Sequence, residues 1–157
     1  MIGNLEMHEI EEVLHQQVIG RIACHADGET YIVPVSYAYD GRYIYTHTRP
    51  GKKISMMNKN PHVCFETEEF INMANWKSVI AWGNFEEVKL PAERHKAIQI
   101  LLDRILPLNS SETTHLSPHW PFPPHNNNEI KGIVYRVELI RKTGRFEKNY
   151  ENASYTI

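Results

Sequence analysis

Two Asp-Gly pairs, Asp27-Gly28 and Asp40-Gly41, constrain the fold of this chain more than any other feature. Each pair separates runs in which aromatic or β-branched residues alternate with others, and Asp-Gly between such runs is the strongest short-range signal for a β-hairpin. The runs are VIGRIACHA at 18–26, TYIVPVSYAY at 30–39 and RYIYTHT at 42–48. Together they predict an antiparallel meander of three strands.

Pro34 lies inside the middle strand of this meander. Proline has no N–H group to donate to a sheet ladder, and within sheets it is therefore found at edges or bulges. We expect the middle strand to lie at an edge of the sheet, at a bulge, or at a point where the ladder is interrupted for a ligand.

Hydrophobic periodicity and chain breakers predict the remaining elements. Helices are predicted at 5–16 behind Asn4 as N-cap, at 52–59, and at 91–106 with Pro91 in the first turn. Strands are predicted at 62–67, at 76–90 with a bend or bulge at Gly83, and at 130–144. Residues 68–75 are predicted to form a loop. About six strands with two or three peripheral helices indicate a small antiparallel β-barrel.

The length of 157 residues indicates a single domain over 1–157. Prolines, asparagines and Ser/Thr pairs dominate residues 107–129, which predicts a long loop or a lid over a ligand. Residues 145–157 are expected to form a C-terminal arm.

Three histidines, His115, His119 and His125, lie in the predicted loop at 107–129. They lack a helical spacing or a cysteine partner, and we expect no metal site.

The charge pattern excludes several classes of function. The formal net charge is −2 with scattered lysines and arginines, so we expect no nucleic acid and no membrane as partner. No apolar run approaches the roughly 18 residues of a membrane span, and the acidic start lacks the basic region of a signal peptide. The chain is therefore expected to be cytoplasmic.

Cys24 and Cys64 lack CxxC spacing and are expected to be reduced, buried thiols.

The third strand of the meander ends in a polar segment that suits an anion. The segment contains Thr46, His47 and Thr48, followed by Pro50-Gly51 and by Lys52 and Lys53 at the start of a predicted helix. A helix N-terminus offers N–H groups and the positive end of the helix dipole, and lysines bind phosphate as point charges. We therefore predict a phosphate site, the alternative being an ordinary solvated helix start. Neither GxxxxGK[ST] nor GxGxxG occurs, which excludes a Walker loop and a dinucleotide fingerprint.

Three segments then follow one another in an order that is specific as a set. They are IGRIACHADGETYIVPVSYAYDGRYIYTHTRPGKKISMMNKNPHVCFE, WKSVIAWGNFEEV and IVYRVELIRKTGR. In this order they resemble the flavin-binding split-barrel superfamily, which includes pyridoxamine 5'-phosphate oxidase, and within it the nitroimidazole-resistance (Nim) proteins. The resemblance implies a mostly β fold, an antiparallel split β-barrel of about six strands, Greek-key in type, with peripheral helices. It also implies a homodimer that binds FMN, or FAD, at the subunit interface.

The resemblance assigns the cofactor contacts residue by residue. Thr46, Lys52 and Lys53 correspond to the phosphate-binding positions, and Ser78 is a further donor from an adjoining strand. The backbone around Pro34, Val35 and Ser36 is expected to lie along the isoalloxazine ring of the flavin. An opening of the ladder at a ligand would explain why a proline is tolerated inside this strand.

Further contacts are expected from residues next to these positions. Thr48 and Val79 complete the set, and Trp76 either walls the cofactor or is buried in the barrel. His47 matches a histidine of the Nim branch, and we predict that it contacts the cofactor and donates a proton in catalysis. The alternative for His47 is a structural histidine that only makes hydrogen bonds.

The resemblance implies an FMN-dependent oxidoreductase. Electrons from NAD(P)H would pass through the flavin to a small electrophilic acceptor such as a nitro-aromatic compound. One alternative is a pyridoxamine 5'-phosphate oxidase in the strict sense, although only Arg141 and Arg145 are available near the C-terminus to bind a substrate phosphate. The other alternative is a non-catalytic carrier or sensor that holds flavin or haem.

Overall fold

The described part of the chain, residues 1–104 and 131–149 of a computed structural model, contains three helices and one antiparallel sheet. The strands are β1 (Ile2–Asn4), β2 (Ile19–Ala26), β3 (Glu29–Ser36), β4 (Ala38–Tyr39), β5 (Tyr43–Thr48), β6 (His62–Asn72), β7 (Asn75–Glu87) and β8 (Ile133–Glu147). The helices are α1 (Met7–Gln16), α2 (Lys52–Lys59) and α3 (Pro91–Asp103). None of the described helices is long and apolar enough to cross a membrane.

The sheet has eight strands in the order β3-β2-β6-β7-β8-β5-β4, with β1 paired to β8. Because β3 and β4 stand at its two ends and do not pair within the described residues, the barrel is not closed by hydrogen bonds. The predicted mostly β split barrel with peripheral helices is therefore confirmed. The extra strands are β1 and β4, which span three and two residues and are too short to produce a periodic pattern.

Both Asp-Gly hairpins of the predicted meander are confirmed, but its single middle strand is not. The first hairpin is confirmed, because β2 and β3 pair from Ile19–Ser36 to Ala26–Glu29, and both residues of the Asp27-Gly28 turn have positive φ angles. The second hairpin is confirmed because β4 and β5 pair antiparallel on either side of Asp40-Gly41. The single middle strand at 30–39 is wrong: the ladder stops at Tyr37, and β4 beyond it pairs with β5 at the opposite end of the sheet. The Tyr37 ring is fully buried in the core. The predicted strand at 30–39 therefore divides into β3 and β4 at Tyr37, where this side chain fixes the backbone.

Pro34 lies on β3, the terminal strand of the sheet order, and its side chain is exposed. The predicted edge position is therefore confirmed. One side of β3 has no neighbouring strand among the described residues, so on that side a missing N–H group costs no ladder hydrogen bond.

Two other predictions need correction. Residues 68–75 do not form a loop, because β6 continues to Asn72 and β7 begins at Asn75, with Asn72 accepting a hydrogen bond from the Ala74 N–H group at 3.0 Å. Asn4 belongs to β1, so the N-cap of α1 is Glu6, whose N–H group donates to the Glu9 side chain at 2.8 Å. Residues 68–72 read Glu-Glu-Phe-Ile-Asn, and because apolar and polar residues do not alternate there, the segment gives no strand pattern in the sequence.

The helices at 52–59 and from Pro91 are confirmed, the latter ending at Asp103. The bulge at Gly83 is also confirmed, because the pairing of β7 with β8 shifts there. Residues 145–147 still belong to β8 rather than to an arm. The predicted loop at 107–129 and the arm beyond residue 149 lie outside the described residues.

The side chains of the sheet point to two faces. Alternate residues such as Ile22, Phe65 and Val79 pack inside the barrel with Val13 and Leu14 of α1. A second, smaller core lies between α3 and the β4, β5 and β8 side of the sheet. Within the described residues, the opposite face of β3, β2, β6, β7 and the part of β8 beyond Leu139 carries neither helix nor core, and we call it the outer face.

Candidate functional site

The end of β5 and the start of α2 form the centre of the candidate site. Thr46 faces the barrel interior and is only 1% exposed. Gly51 is the N-cap of α2 and supplies no capping side chain. The first N–H groups of a helix have no partner within the helix, and no acidic residue lies in the first turn of α2. This helix start therefore has donors and a positive dipole end for an anion.

The two lysines that open α2 have different surroundings. The Lys52 ammonium pairs with Glu29 Oε1 at 2.5 Å and lies 4.9 Å from the centre of the Tyr31 ring. Lys53 is half-buried, and burial lowers the pKa of its ammonium group. No ion pair joins Lys53 to a carboxylate among the described residues, so its charge is partly desolvated and not neutralised.

Two residues that the sequence did not predict for this site lie beside these groups. Tyr135 of β8 pairs with Thr46 across the ladder and is fully buried. Its hydroxyl makes no hydrogen bond of normal geometry within the described residues, although the Thr46 side chain is close enough to lower the hydroxyl's pKa, which burial raises. Cys24 is also buried, which raises its thiol pKa, and the charges of Lys52 and Lys53 partly oppose that rise. In the sequence both residues are indistinguishable from ordinary core positions.

Ser78 lies apart from this centre, on the outer face. Its hydroxyl donates to Glu66 Oε1 at 3.3 Å, and the other oxygen of Glu66 pairs with Arg21 at 2.9 Å. Arg21 stands opposite Pro34 in the ladder. Ser78 and Pro34 are therefore on one face of the sheet, whereas Thr46 points into the barrel.

The other predicted contacts are also dispersed. Val35 and Val79 point into the barrel core, so only their backbone is available to a ligand, whereas Ser36 is exposed beyond Pro34. Trp76 lies near the β6–β7 turn, where its indole N–H donates to Glu147 at 3.1 Å and its ring borders a cavity of about 340 Å³. Trp76 is thus not in the barrel core, and its predicted contact with a cofactor stays a prediction.

His47 points away from the barrel interior, toward α3. Its Nε2 atom donates to the Lys131 carbonyl at 2.5 Å. Burial lowers the pKa of the imidazole, an effect that the positive charge of Arg94 on α3 reinforces. Thr48 follows at the strand end and donates to the Arg49 carbonyl at 3.1 Å. The predicted roles of His47 and Thr48 stay predictions. The structure shows in addition that each side chain makes a hydrogen bond to a main-chain carbonyl.

A larger cavity, of about 610 Å³, opens on the outer face. Trp82, Arg141, Cys64 and the imidazoles of His25 and His62 line it. The Arg141 guanidinium stacks 3.8 Å above the Trp82 ring. No group of three or more metal-binding side chains occurs among the residues that the structure describes.

Comparison with known proteins gives a consistent result. The family model described as pyridoxamine 5'-phosphate oxidase matches residues 6–146. An uncharacterized protein of Rhizobium meliloti (strain 1021) is 31% identical over 153 residues, covering 90% of this chain and 92% of that protein. A FAD-binding protein from Mesorhizobium loti, known from its crystal structure, has 27% identity and a TM-score of 0.74 over 95% of this chain and 98% of its own.

A second solved structure has a fold similar to that of this chain. It comes from Bacteroides thetaiotaomicron and is described as a candidate 5-nitroimidazole antibiotic resistance protein. The TM-score is 0.70 over 93% of this chain and 87% of that chain, at 18% identity. At this level of identity the likeness concerns the fold alone.

Proposed function

The chain belongs to the pyridoxamine 5'-phosphate oxidase family, as the sequence resemblance predicted, and from this premise we propose that it binds a flavin nucleotide, FMN or FAD, and acts as an oxidoreductase. When bound, the flavin supplies hydride transfer between a nicotinamide donor, NADH or NADPH, and a small electrophilic acceptor such as a nitro-aromatic compound. The protein supplies the phosphate site, the shape of the cleft and the exclusion of water.

The observation that carries this proposal is the state of Lys53. This partly desolvated ammonium has no carboxylate partner in the part of the chain that the structure describes, which is costly. It also lies in the first turn of a helix, where the dipole disfavours a cation. A phosphate group at this place would offset both costs. It would also meet the N–H groups of the first turn of α2. The contact with the Thr46 hydroxyl follows the resemblance alone, because that side chain faces the barrel interior.

The edge strand β3 offers a place for the flavin ring. Its outer edge has no neighbouring strand among the described residues, and Pro34 removes one N–H group from the peptide backbone. The backbone from Pro34 to Ser36 can therefore lie along a flat ring system, with the phosphate end directed to α2. This arrangement follows the residue assignments from the resemblance.

The separation of Ser78 and Trp76 from Thr46 favours a homodimer with a flavin between the two subunits. The outer face that carries Ser78 also exposes apolar side chains, with Ile32 60% and Ile80 38% accessible, beside the Trp82 ring. A second copy packed on this face would cover them, and Ser78 of one subunit would then serve the flavin held by Thr46 and Lys53 of the other.

The test is a flavin titration with a matched pair of lysine variants. Lys53→Met should weaken FMN binding by about 10- to 150-fold, the equivalent of one charge-assisted hydrogen bond. It should leave the affinity for riboflavin, which has no phosphate, within about twofold. Lys59→Met is the control, because Lys59 lies in the last turn of the same helix and pairs with Asp27 at 2.6 Å.

Two outcomes count against the proposal. If the unaltered protein binds neither FMN nor FAD, the flavin assignment is wrong, and a Soret band in the purified protein would favour the haem alternative. If FMN affinity is the same in Lys53→Met and Lys59→Met, the phosphate lies elsewhere. Reduction of bound flavin by NAD(P)H, followed by reoxidation with a nitro compound, tests the oxidoreductase function and separates an enzyme from a carrier.

A further inference from the structure

We propose that Glu29 is an internal competitor of the flavin phosphate: its carboxylate occupies Lys52 in the cofactor-free protein, and the phosphate displaces it. This inference rests on the proposed function. It assigns a role in setting affinity to a residue that neither the motif nor the resemblance singled out. It also explains why two adjacent lysines at one helix start have different partners.

The geometry places a carboxylate on a cation of the candidate site. Glu29 is the first residue of β3, directly after the Asp27-Gly28 turn, and its Oε1 atom lies 2.5 Å from the Lys52 ammonium. The β2–β3 hairpin thus carries an acidic group to the start of α2, whose own first turn contains none. The Tyr31 ring, 4.9 Å from the same ammonium, holds the cation at this position.

The pair is suited to exchange. The side chains of Lys52 and Glu29 are 50% and 57% exposed, so the carboxylate can turn into solvent at little cost. Exposed ion pairs contribute little stability, and a phosphate monoester carries about −1.5 to −2 charges at pH 7, whereas the carboxylate carries one. If Glu29 stays in place when phosphate binds, two like charges lie side by side. Displacement and repulsion both lower the affinity for phosphate.

A structural role for the pair predicts the opposite sign. If the Lys52–Glu29 bond merely ties the β2–β3 hairpin to α2, its loss loosens the helix start and weakens the binding of phosphate. If Glu29 competes with phosphate, its neutralisation strengthens binding. The sign of the change in FMN affinity therefore distinguishes the two roles.

The chain provides a matched control in the same hairpin. Asp27 pairs with Lys59 at 2.6 Å, so that it too joins the hairpin to α2, but at the other end of the helix. Glu29→Gln and Asp27→Asn each remove one negative charge and one ion pair between the same two elements. Any general effect of net charge or of hairpin docking appears in both variants, and only competition for Lys52 is specific to Glu29→Gln.

The experiment is a titration of FMN and of riboflavin into the cofactor-free full-length protein, its Glu29→Gln variant and its Asp27→Asn variant, at low and at high salt. Glu29→Gln should bind FMN about 2- to 5-fold more tightly than Asp27→Asn, the value of releasing one exposed ion pair. Riboflavin affinity should be equal in both variants. The difference should shrink at high salt, because exposed charges are screened.

The same comparison in a Lys52→Met protein tests whether Glu29 acts through Lys52. In a Lys52→Met protein, Glu29→Gln should no longer raise FMN affinity relative to Asp27→Asn, because the competed cation is gone. An unchanged or weaker FMN affinity in Glu29→Gln overturns the inference, as does equal tightening for riboflavin. If the unaltered protein binds no flavin, the proposed function fails and the inference with it, whereas flavin binding without a Glu29 effect refutes the inference alone.

Discussion

Replacing a tyrosine by phenylalanine should change the free energy of unfolding in opposite directions at the two fully buried tyrosines of the barrel. Tyr37 and Tyr135 are both inaccessible to solvent, and each ring packs against a phenylalanine ring, with centroid distances of 4.9 and 5.3 Å. The Tyr37 hydroxyl donates to the Leu14 carbonyl at 2.8 Å. The Tyr135 hydroxyl makes no normal hydrogen bond within the described residues. Replacement by phenylalanine removes only the hydroxyl in each case.

The expected changes follow from these bonds. A buried polar group without a partner costs roughly 1–3 kcal/mol, part of which the weak contact with Thr46 offsets, so Tyr135→Phe should raise the free energy of unfolding by about 1 kcal/mol. Tyr37→Phe removes a bond and leaves a carbonyl in the last turn of α1 without a partner. It should lower that free energy by about 2 kcal/mol.

Urea denaturation and thermal melting of the flavin-free variants measure both changes. For a chain of this size, about 1 kcal/mol corresponds to about 2–4 °C in Tm, so the two variants should lie on opposite sides of the unaltered protein. A loss of 1 kcal/mol or more in Tyr135→Phe would refute the reasoning, because it would mean that the hydroxyl is satisfied, for instance by a buried water.

Three further predictions concern a bulge, a titrating group and a surface. Gly83→Ala should destabilise the fold by about 2 kcal/mol or more in urea denaturation, because a Cβ atom would lie 2.0 Å from the Glu138 carbonyl oxygen, whereas Gly51→Ala, with nothing within 4 Å, should be nearly neutral. Burial lowers the pKa of His47 below its ordinary value of 6.5, so the unfolded chain binds the extra proton first and stability falls as the pH drops below 6.5. His47→Gln should reduce this slope in melts taken over pH, and an unchanged slope would contradict it. Ile80→Glu should convert the proposed dimer to monomer in light scattering and weaken FMN binding, and an unaltered mass would remove the outer face as the interface.

Local patterns in the chain were sufficient to predict several elements. The Asp27-Gly28 turn, the helix at Lys52–Lys59, Pro91 at the start of α3 and the bulge at Gly83 were all identified correctly. Each depends on φ angles, missing donors or spacing within a few residues, and such preferences act independently of the rest of the chain. The family was also identified from the order of its segments.

Errors arose where a choice depended on distant residues. The break at Tyr37 arises because β3 pairs with β2 while β4 pairs with β5 at the other end of the sheet. Residues 68–72 continue β6 because β7 returns alongside them. No local pattern encodes which strand becomes a neighbour, since pairing is decided by burial of whole faces.

The same distinction applies to the candidate site. The sequence alone determined that a strand end with Thr46 leads into a helix opened by Lys52 and Lys53, because that arrangement depends on residues next to one another. Only the tertiary structure decided that Lys52 is bound to Glu29 while Lys53 is half-buried without a carboxylate partner among the described residues. Likewise, it placed Ser78 on the outer face with Glu66. Charge pairing and desolvation depend on groups brought together from separate elements, which is why adjacent lysines with the same local pattern have different chemistry.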